Sequence, residues 1–94
     1  MVATVRIPAA LRKFVGGVDA VEVSGTTVGE VFESLRRDFS DLHSGVCDDA
    51  GEVRKYVNVF LGGEDIRFLA GMQTPVGPEA DKCEICILAA IAGG

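Results

Sequence analysis

Hydrophobic and polar positions alternate from the start of the chain. In "VATVRI", residues 2–7, Ala3, Val5 and Ile7 share one face and Thr4 and Arg6 the other. That is the period of a half-buried strand, and Pro8 stops it. "DAVEVS" repeats the pattern, with Val21 and Val23 set against Glu22 and Ser24. A connection carrying Gly16 and Gly17 joins the two segments, which predicts a long hairpin. At Thr27 the period changes. In "TVGEVFESLRRDF", Val28, Val31, Phe32, Leu35 and Phe39 fall at helical spacing, which predicts an amphipathic helix over about residues 28–39. Thr27 is the expected N-cap, and Glu30 three residues later completes a capping box. Glu33 and Arg37 offer an i,i+4 pair, and Arg36 and Arg37 suit the C-terminal end of the helix dipole. One such helix in so short a chain is expected to cover its own sheet.

From Ser40 to Lys55 the chain is polar and reads as an irregular loop, with "CDDAGE" its most turn-like part. "YVNVFL" returns to alternation, with Val57, Val59 and Leu61 opposite Tyr56, Asn58 and Phe60. Gly62-Gly63 is a tight-turn signal, and "EDIRF" is expected to come back as a short strand. "GMQTPVGPEADK" reads as loops, and "CEICIL" supplies a last strand with Cys83, Ile85 and Ile87 on one face. Two hairpins flanking one helix predict an α+β layer pair in ββαββ order. The expected core comprises Val5, Ile7, Val21, Val23, Val31, Phe32, Leu35, Val57, Val59, Ile85 and Ile87. The body is expected to span residues 1–88, leaving 89–94, "AAIAGG", as a flexible tail.

Composition narrows the function classes. Ninety-four residues make one domain with a modest core. A formal charge of −5 and the absence of Trp argue against nucleic acid, whose phosphates call for clustered Lys and Arg. No apolar run approaches the roughly 20 residues of a membrane span. The opening "MVATVRIPAA" has no charged region followed by a long apolar stretch, so no leader is expected and a cytoplasmic location is.

Chemical constellations fail in turn. "CEIC" matches C-x-x-C, but on a strand residues three apart point to opposite faces, unlike a redox pair at a helix N-terminus. His43 is the sole histidine and is remote from the cysteines Cys83 and Cys86, so a zinc site is not expected. A catalytic triad would need the same His43, in an expected loop with no evident nucleophile. Asp48, Asp49 and Glu52 lack the ligand spacing of a calcium loop. No phosphate loop or dinucleotide fingerprint occurs.

What remains is the end of the chain. With 12 glycines present, a Gly-Gly end arises by chance about once in sixty, so the pair decides little alone. Its chemistry is specific, however. Six residues beyond Leu88 extend roughly 20 Å, enough to enter a deep channel, and glycines at the tip remove every Cβ that would obstruct it.

The combination of "YVNVFLGGEDIRF", "TP" and the terminal "AGG" resembles the ubiquitin-like sulfur carriers, the ThiS/MoaD family with its β-grasp fold. "KYVNVFLGGEDIRFLAG" and the alanine-rich approach to Gly-Gly look most like the carriers that feed sulfur to cysteine synthesis. Ala89 stands where relatives often carry proline after the last strand. Glu79-Ala80-Asp81 stands where they often carry Asp-Gly-Asp.

The resemblance implies a non-enzymatic co-substrate. A ubiquitin-activating-enzyme-like adenylyltransferase, using ATP and Mg²⁺ that the carrier itself does not bind, converts the Gly94 carboxylate to an acyl-adenylate. A sulfur donor then leaves a thiocarboxylate on Gly94, and Ala92, Gly93 and Gly94 insert into a sulfur-accepting biosynthetic enzyme. Cysteine synthesis is the first expectation, with molybdopterin, thiamin or another thiolated metabolite behind it. A free monomer is expected. Two other readings stay open: a modifier conjugated to lysines through Gly94, and a β-grasp binding module whose tail is incidental. Phe60, opposite the core-facing Val59 and Leu61, is either a partner-binding anchor or packed beneath the segment from Ser40 to Lys55.

Overall fold

The computed structural model describes residues 2–77 and 83–89. Five strands form one mixed sheet in the order β2-β1-β5-β3-β4. β1 (Val2–Arg6) pairs antiparallel with β2 (Ala20–Ser24), and β5 (Glu84–Ala89) lies parallel to β1. β3 (Val57–Leu61) runs antiparallel to β5, and the two-residue β4 (Glu64–Asp65) pairs with the end of β3. Gly62 and Gly63, both with positive φ (62° and 83°), make the tight β3–β4 turn the sequence signals.

α1 (Val28–Asp38) covers one face of the sheet. Val28, Val31, Phe32 and Leu35 are buried with Val5, Val23, Val59, Ile85 and Ile87 in one cluster. The expected core is thus present, except that Val21 is half-buried at its edge. The helix start departs slightly from a capping box. The Glu30 N–H donates to Thr27 Oγ1 at 3.1 Å, but Glu30 Oε1 accepts from the backbone N–H and hydroxyl of Thr26, not from Thr27. Glu33 pairs with Arg36 at 2.7 Å and Arg37 with Asp38, in place of the expected Glu33–Arg37 pair.

Four segments expected to be loop or strand are otherwise, among them Gly71–Gln73 of "GMQTPVGPEADK", a 3-10 turn. Ser40–Val46 is a second helix, α2, whose Leu42 and Val46 are buried in the core. Its seven residues are too few and too polar to show helical periodicity in sequence. Ala9–Val15, within the β1–β2 connection, is a 3-10 helix that buries Leu11 and Val15. "EDIRF" stays a strand only through Asp65. The Asp65 carboxylate then accepts the Arg67 N–H at 2.8 Å and turns Ile66–Phe68 into a 3-10 turn. The strand β5 continues to Ala89, paired with Val57, one residue beyond the expected strand "CEICIL".

The "TP" motif serves the fold. The Val28 N–H donates to the Thr74 carbonyl and the Val76 N–H to the Thr26 carbonyl, so this segment lies along the start of α1. Thr74 is buried and its hydroxyl accepts the Ala70 N–H at 3.0 Å.

Candidate functional site

The topology fixes where the last described residue, Ala89, lies. β5 lies inside the sheet between β1 and β3, and its final residue, Ala89, sits beside Val57 at the beginning of β3. The β1–β2 connection reaches the same end of the sheet, because β1 runs parallel to β5. Two surfaces therefore flank the point where β5 stops. The sequence-predicted residues Ala92, Gly93 and Gly94 lie outside the described residues.

On the face away from the helices, Phe60 stands in register with Cys86 on β5, and Cys86 with Arg6 on β1. One pair further along, Leu88 is opposite Asn58 and 49% exposed. Phe60 itself is half-buried and takes no part in the core cluster. The segment from Ser40 to Lys55 instead buries Leu42, Val46 and Cys47 in that cluster, on the side of Val59. Phe60 is thus placed on the open face. Leu88 joins it there, at the end of the expected last strand "CEICIL", where its parity opposite Ile87 already set it on this face.

Charges on this face are locally satisfied. Arg6 pairs with Glu84 at 3.3 Å, both half-exposed, a contact worth little in water. The Asp65 carboxylate accepts from the Arg67 guanidinium at 2.9 Å and from the Asn58 amide at 3.1 Å. Hydrogen bonds from the Arg67 side chain and backbone, before any other cause, hold this carboxyl well below the usual carboxylate range.

The thiols do not form a reactive pair. Cys83 packs against the core side and Cys86 lies on the opposite face, as strand geometry requires. Cys47 is 1% exposed, and burial pushes its thiol up to about 11, so it holds its proton at neutral pH. His43 lies on α2, where burial, then the Arg36 charge, lowers its pKa and favours the neutral ring. The acidic run at Asp48 closes a turn: Asp48 Oδ1 accepts the N–H groups of Ala50 and Glu52. Among the described residues, no three His, Cys, Asp or Glu side chains converge on a possible metal position. No described helix is long and apolar enough to cross a membrane.

A mixed sheet with parallel central strands, covered on one face by a helix and closed by β5 at its centre, defines a ubiquitin-like β-grasp protein. Its sequence places it within that class. The chain belongs to the ThiS family, whose model matches residues 5–94. The sulfur carrier protein CysO of Mycobacterium tuberculosis is 37% identical over 93 residues, 97% of each chain. The crystal structure of the Amycolatopsis orientalis BexX/CysO complex contains a chain that superposes with a TM-score of 0.82. That match has 30% identity and covers 98% of this chain and 99% of the other. Small archaeal modifier protein 3 of Haloferax volcanii is 34% identical over 68 residues, 72% of this chain and 70% of its own.

Proposed function

We propose that this chain is a cytoplasmic sulfur carrier whose cargo is held on the carboxylate of Gly94. The observation that carries the reading is the family match running through Gly94, on a body whose last described strand, β5, ends five residues before it in the sequence. A carboxylate is a poor electrophile. A ubiquitin-activating-enzyme-like adenylyltransferase supplies the remedy with ATP and Mg²⁺. The Gly94 carboxylate oxygen attacks the α-phosphorus, pyrophosphate departs, and an acyl-adenylate remains. A sulfide-level donor then adds to the carbonyl and expels AMP, leaving a thiocarboxylate. Tethered sulfur of this kind reaches an acceptor enzyme already oriented, with the entropy advantage of a bound reactant. The first acceptor proposed is an enzyme of cysteine synthesis, ahead of molybdopterin, thiamin or another thiolated metabolite. The carrier supplies the atom, and its partners supply ATP chemistry and catalysis. Phe60 is proposed as an anchor for a partner on the open sheet face.

Intact mass tests the reading. Incubation with the adenylyltransferase, ATP, Mg²⁺ and sulfide should add about 16 Da, the exchange of oxygen for sulfur at an activated carboxylate. Deleting Gly94 should abolish the gain and leave the fold unchanged. With a persulfide as the sulfur source instead, a gain of about 32 Da by sulfur exchange onto a thiol, surviving that deletion but disappearing when Cys47, Cys83 and Cys86 are all replaced, would overturn the reading in favour of a cysteine persulfide. The archaeal modifier relative favours one second reading, conjugation to lysines through the same activated terminus. Lysine-linked adducts in place of the 16 Da product would select it.

A further inference from the structure

The helical side of the tail-exit end carries a feature that neither the core nor the open sheet face explains. A groove of about 530 Å³ lies among the 3-10 helix Ala9–Val15, α2 and the adjoining ends of β3 and β5. Leu11, Phe14, Tyr56 and Ala89 give it an apolar lining, and Gly45 of α2 opens it. A Cβ at Gly45 would stand 3.1 Å from Leu11 Cδ2 and 3.7 Å from Phe14 Cε2, so a larger side chain there would fill the space. Phe14 is 38% and Tyr56 46% exposed, although both could be buried by a partner at little cost. Lys13 supplies a positive rim, with its ammonium 5.3 Å above the centre of the Phe14 ring.

Exposed aromatics on a small domain are ordinary by themselves. The position of these is not. Ala89, the last residue of β5, is part of the groove wall. Five residues separate it from the proposed reactive carboxylate, a reach of at most about 17 Å. An enzyme that closes its active site on Gly94 must therefore bring its own surface against this end of the body. We infer that the groove docks an apolar side chain of the adenylyltransferase that activates Gly94, with a carboxylate of that enzyme set against Lys13. This assignment rests on the carrier reading. It selects the activating enzyme because sulfur transfer and lysine conjugation both start with the acyl-adenylate, so that partner is required on either route.

The test is ATP–pyrophosphate exchange by the adenylyltransferase, with the full chain varied in concentration. Phe14→Ala with Tyr56→Ala should raise the KM for the carrier about tenfold, as loss of an aromatic anchor does, and leave kcat unchanged. Lys13→Glu, at an exposed position, should raise KM by about fivefold at low salt and by less at high salt. Circular dichroism establishes that each variant is folded. Unchanged KM in folded variants, alongside normal exchange with the wild-type chain, would overturn the groove assignment and leave the carrier reading intact. The same follows if KM holds but affinity for the sulfur-accepting enzyme falls, since the occupant would then be that enzyme. No exchange with the wild-type chain would overturn both.

Discussion

Gly25 and Gly45 look alike in the sequence, yet their replacement by alanine should act in opposite directions. Gly25 joins β2 to α1, where a Cβ would lie 2.7 Å from the Val31 nitrogen, 2.8 Å from Val31 Cγ2 and 3.0 Å from the Glu30 carbonyl carbon. Two of those three atoms are helix backbone, which cannot rotate away. Reaching ordinary contact demands that the strand end and the helix start separate by most of an ångström. That would also disturb the Ser34 hydroxyl, which donates to the Ser24 carbonyl at 2.7 Å. Overpacking of this kind costs about 1–3 kcal/mol. Removal of a glycine from the unfolded chain returns about 0.4–1 kcal/mol, so a net loss of about 1–2 kcal/mol is expected. In a domain of this size that lowers Tm by about 4–16 °C. At Gly45 the nearest atom is the end of the flexible Leu11 side chain, at 3.1 Å. Alanine there gains up to about 1 kcal/mol of helix propensity and should be neutral or stabilising. Urea and thermal unfolding followed by circular dichroism measure both. A Gly25→Ala variant as stable as the wild type, or a Gly45→Ala variant as weakened as Gly25→Ala, would refute the packing argument.

Leu42 is fully buried on α2, so Leu42→Ala should cost about 2–5 kcal/mol in urea unfolding; a loss under about 1 kcal/mol would mean α2 is not docked on the core. Asp65→Asn should cost about 1–2 kcal/mol near neutral pH, at the low end for charged hydrogen bonds because Arg67 is exposed. Because the folded Asp65 carboxyl titrates below its unfolded value, its contribution is present above about pH 4 and drains away as pH falls further. The wild-type advantage over Asp65→Asn should therefore shrink between about pH 5 and pH 3, and a constant gap would contradict the assignment. Phe60→Ala should leave the fold intact and weaken binding to a partner enzyme by about tenfold in titration calorimetry, and unchanged affinity would reject it as an anchor.

The strands and α1 were legible because each has a regular period and a single buried face. Val5, Val59, Ile85 and the α1 stripe are each announced by alternation or helical spacing. What stayed hidden depends on tertiary contact. α2 spans only seven residues and owes its place to Leu42 and Val46 meeting the core. The 3-10 helix at Ala9–Val15 likewise follows from burial of Leu11 and Val15, not from local propensity. "EDIRF" has strand composition, but the Asp65 side chain competes for the backbone and ends the ladder. For the candidate site, Gly94 and Phe60 could be singled out in sequence, the first by resemblance and the second by parity. Phe14 and Tyr56 could not be, because only folding brings residues so far apart in the chain to the same end of the sheet.

The side chains of the body also explain why chemistry at the terminus is the economical reading. Arg6, Arg36, Arg37 and Arg67 each meet a carboxylate, and no buried side-chain nitrogen or oxygen among the described residues lacks a hydrogen-bond partner. Cys47 is buried with its thiol protonated, and Cys83 and Cys86 are divided between two faces of the sheet. Among the described residues, these arrangements neither activate a nucleophile nor gather a proton donor and acceptor about one point. On the proposed carrier reading the body needs none of this, because the proposed activating enzyme would provide the electrophile and the acceptor enzyme the transfer. Its body must be rigid, recognisable and correctly placed relative to a narrow tip. Substitutions on its surfaces should then appear in KM, those at the terminal glycine in kcat, and those in the core in neither until the fold itself is lost.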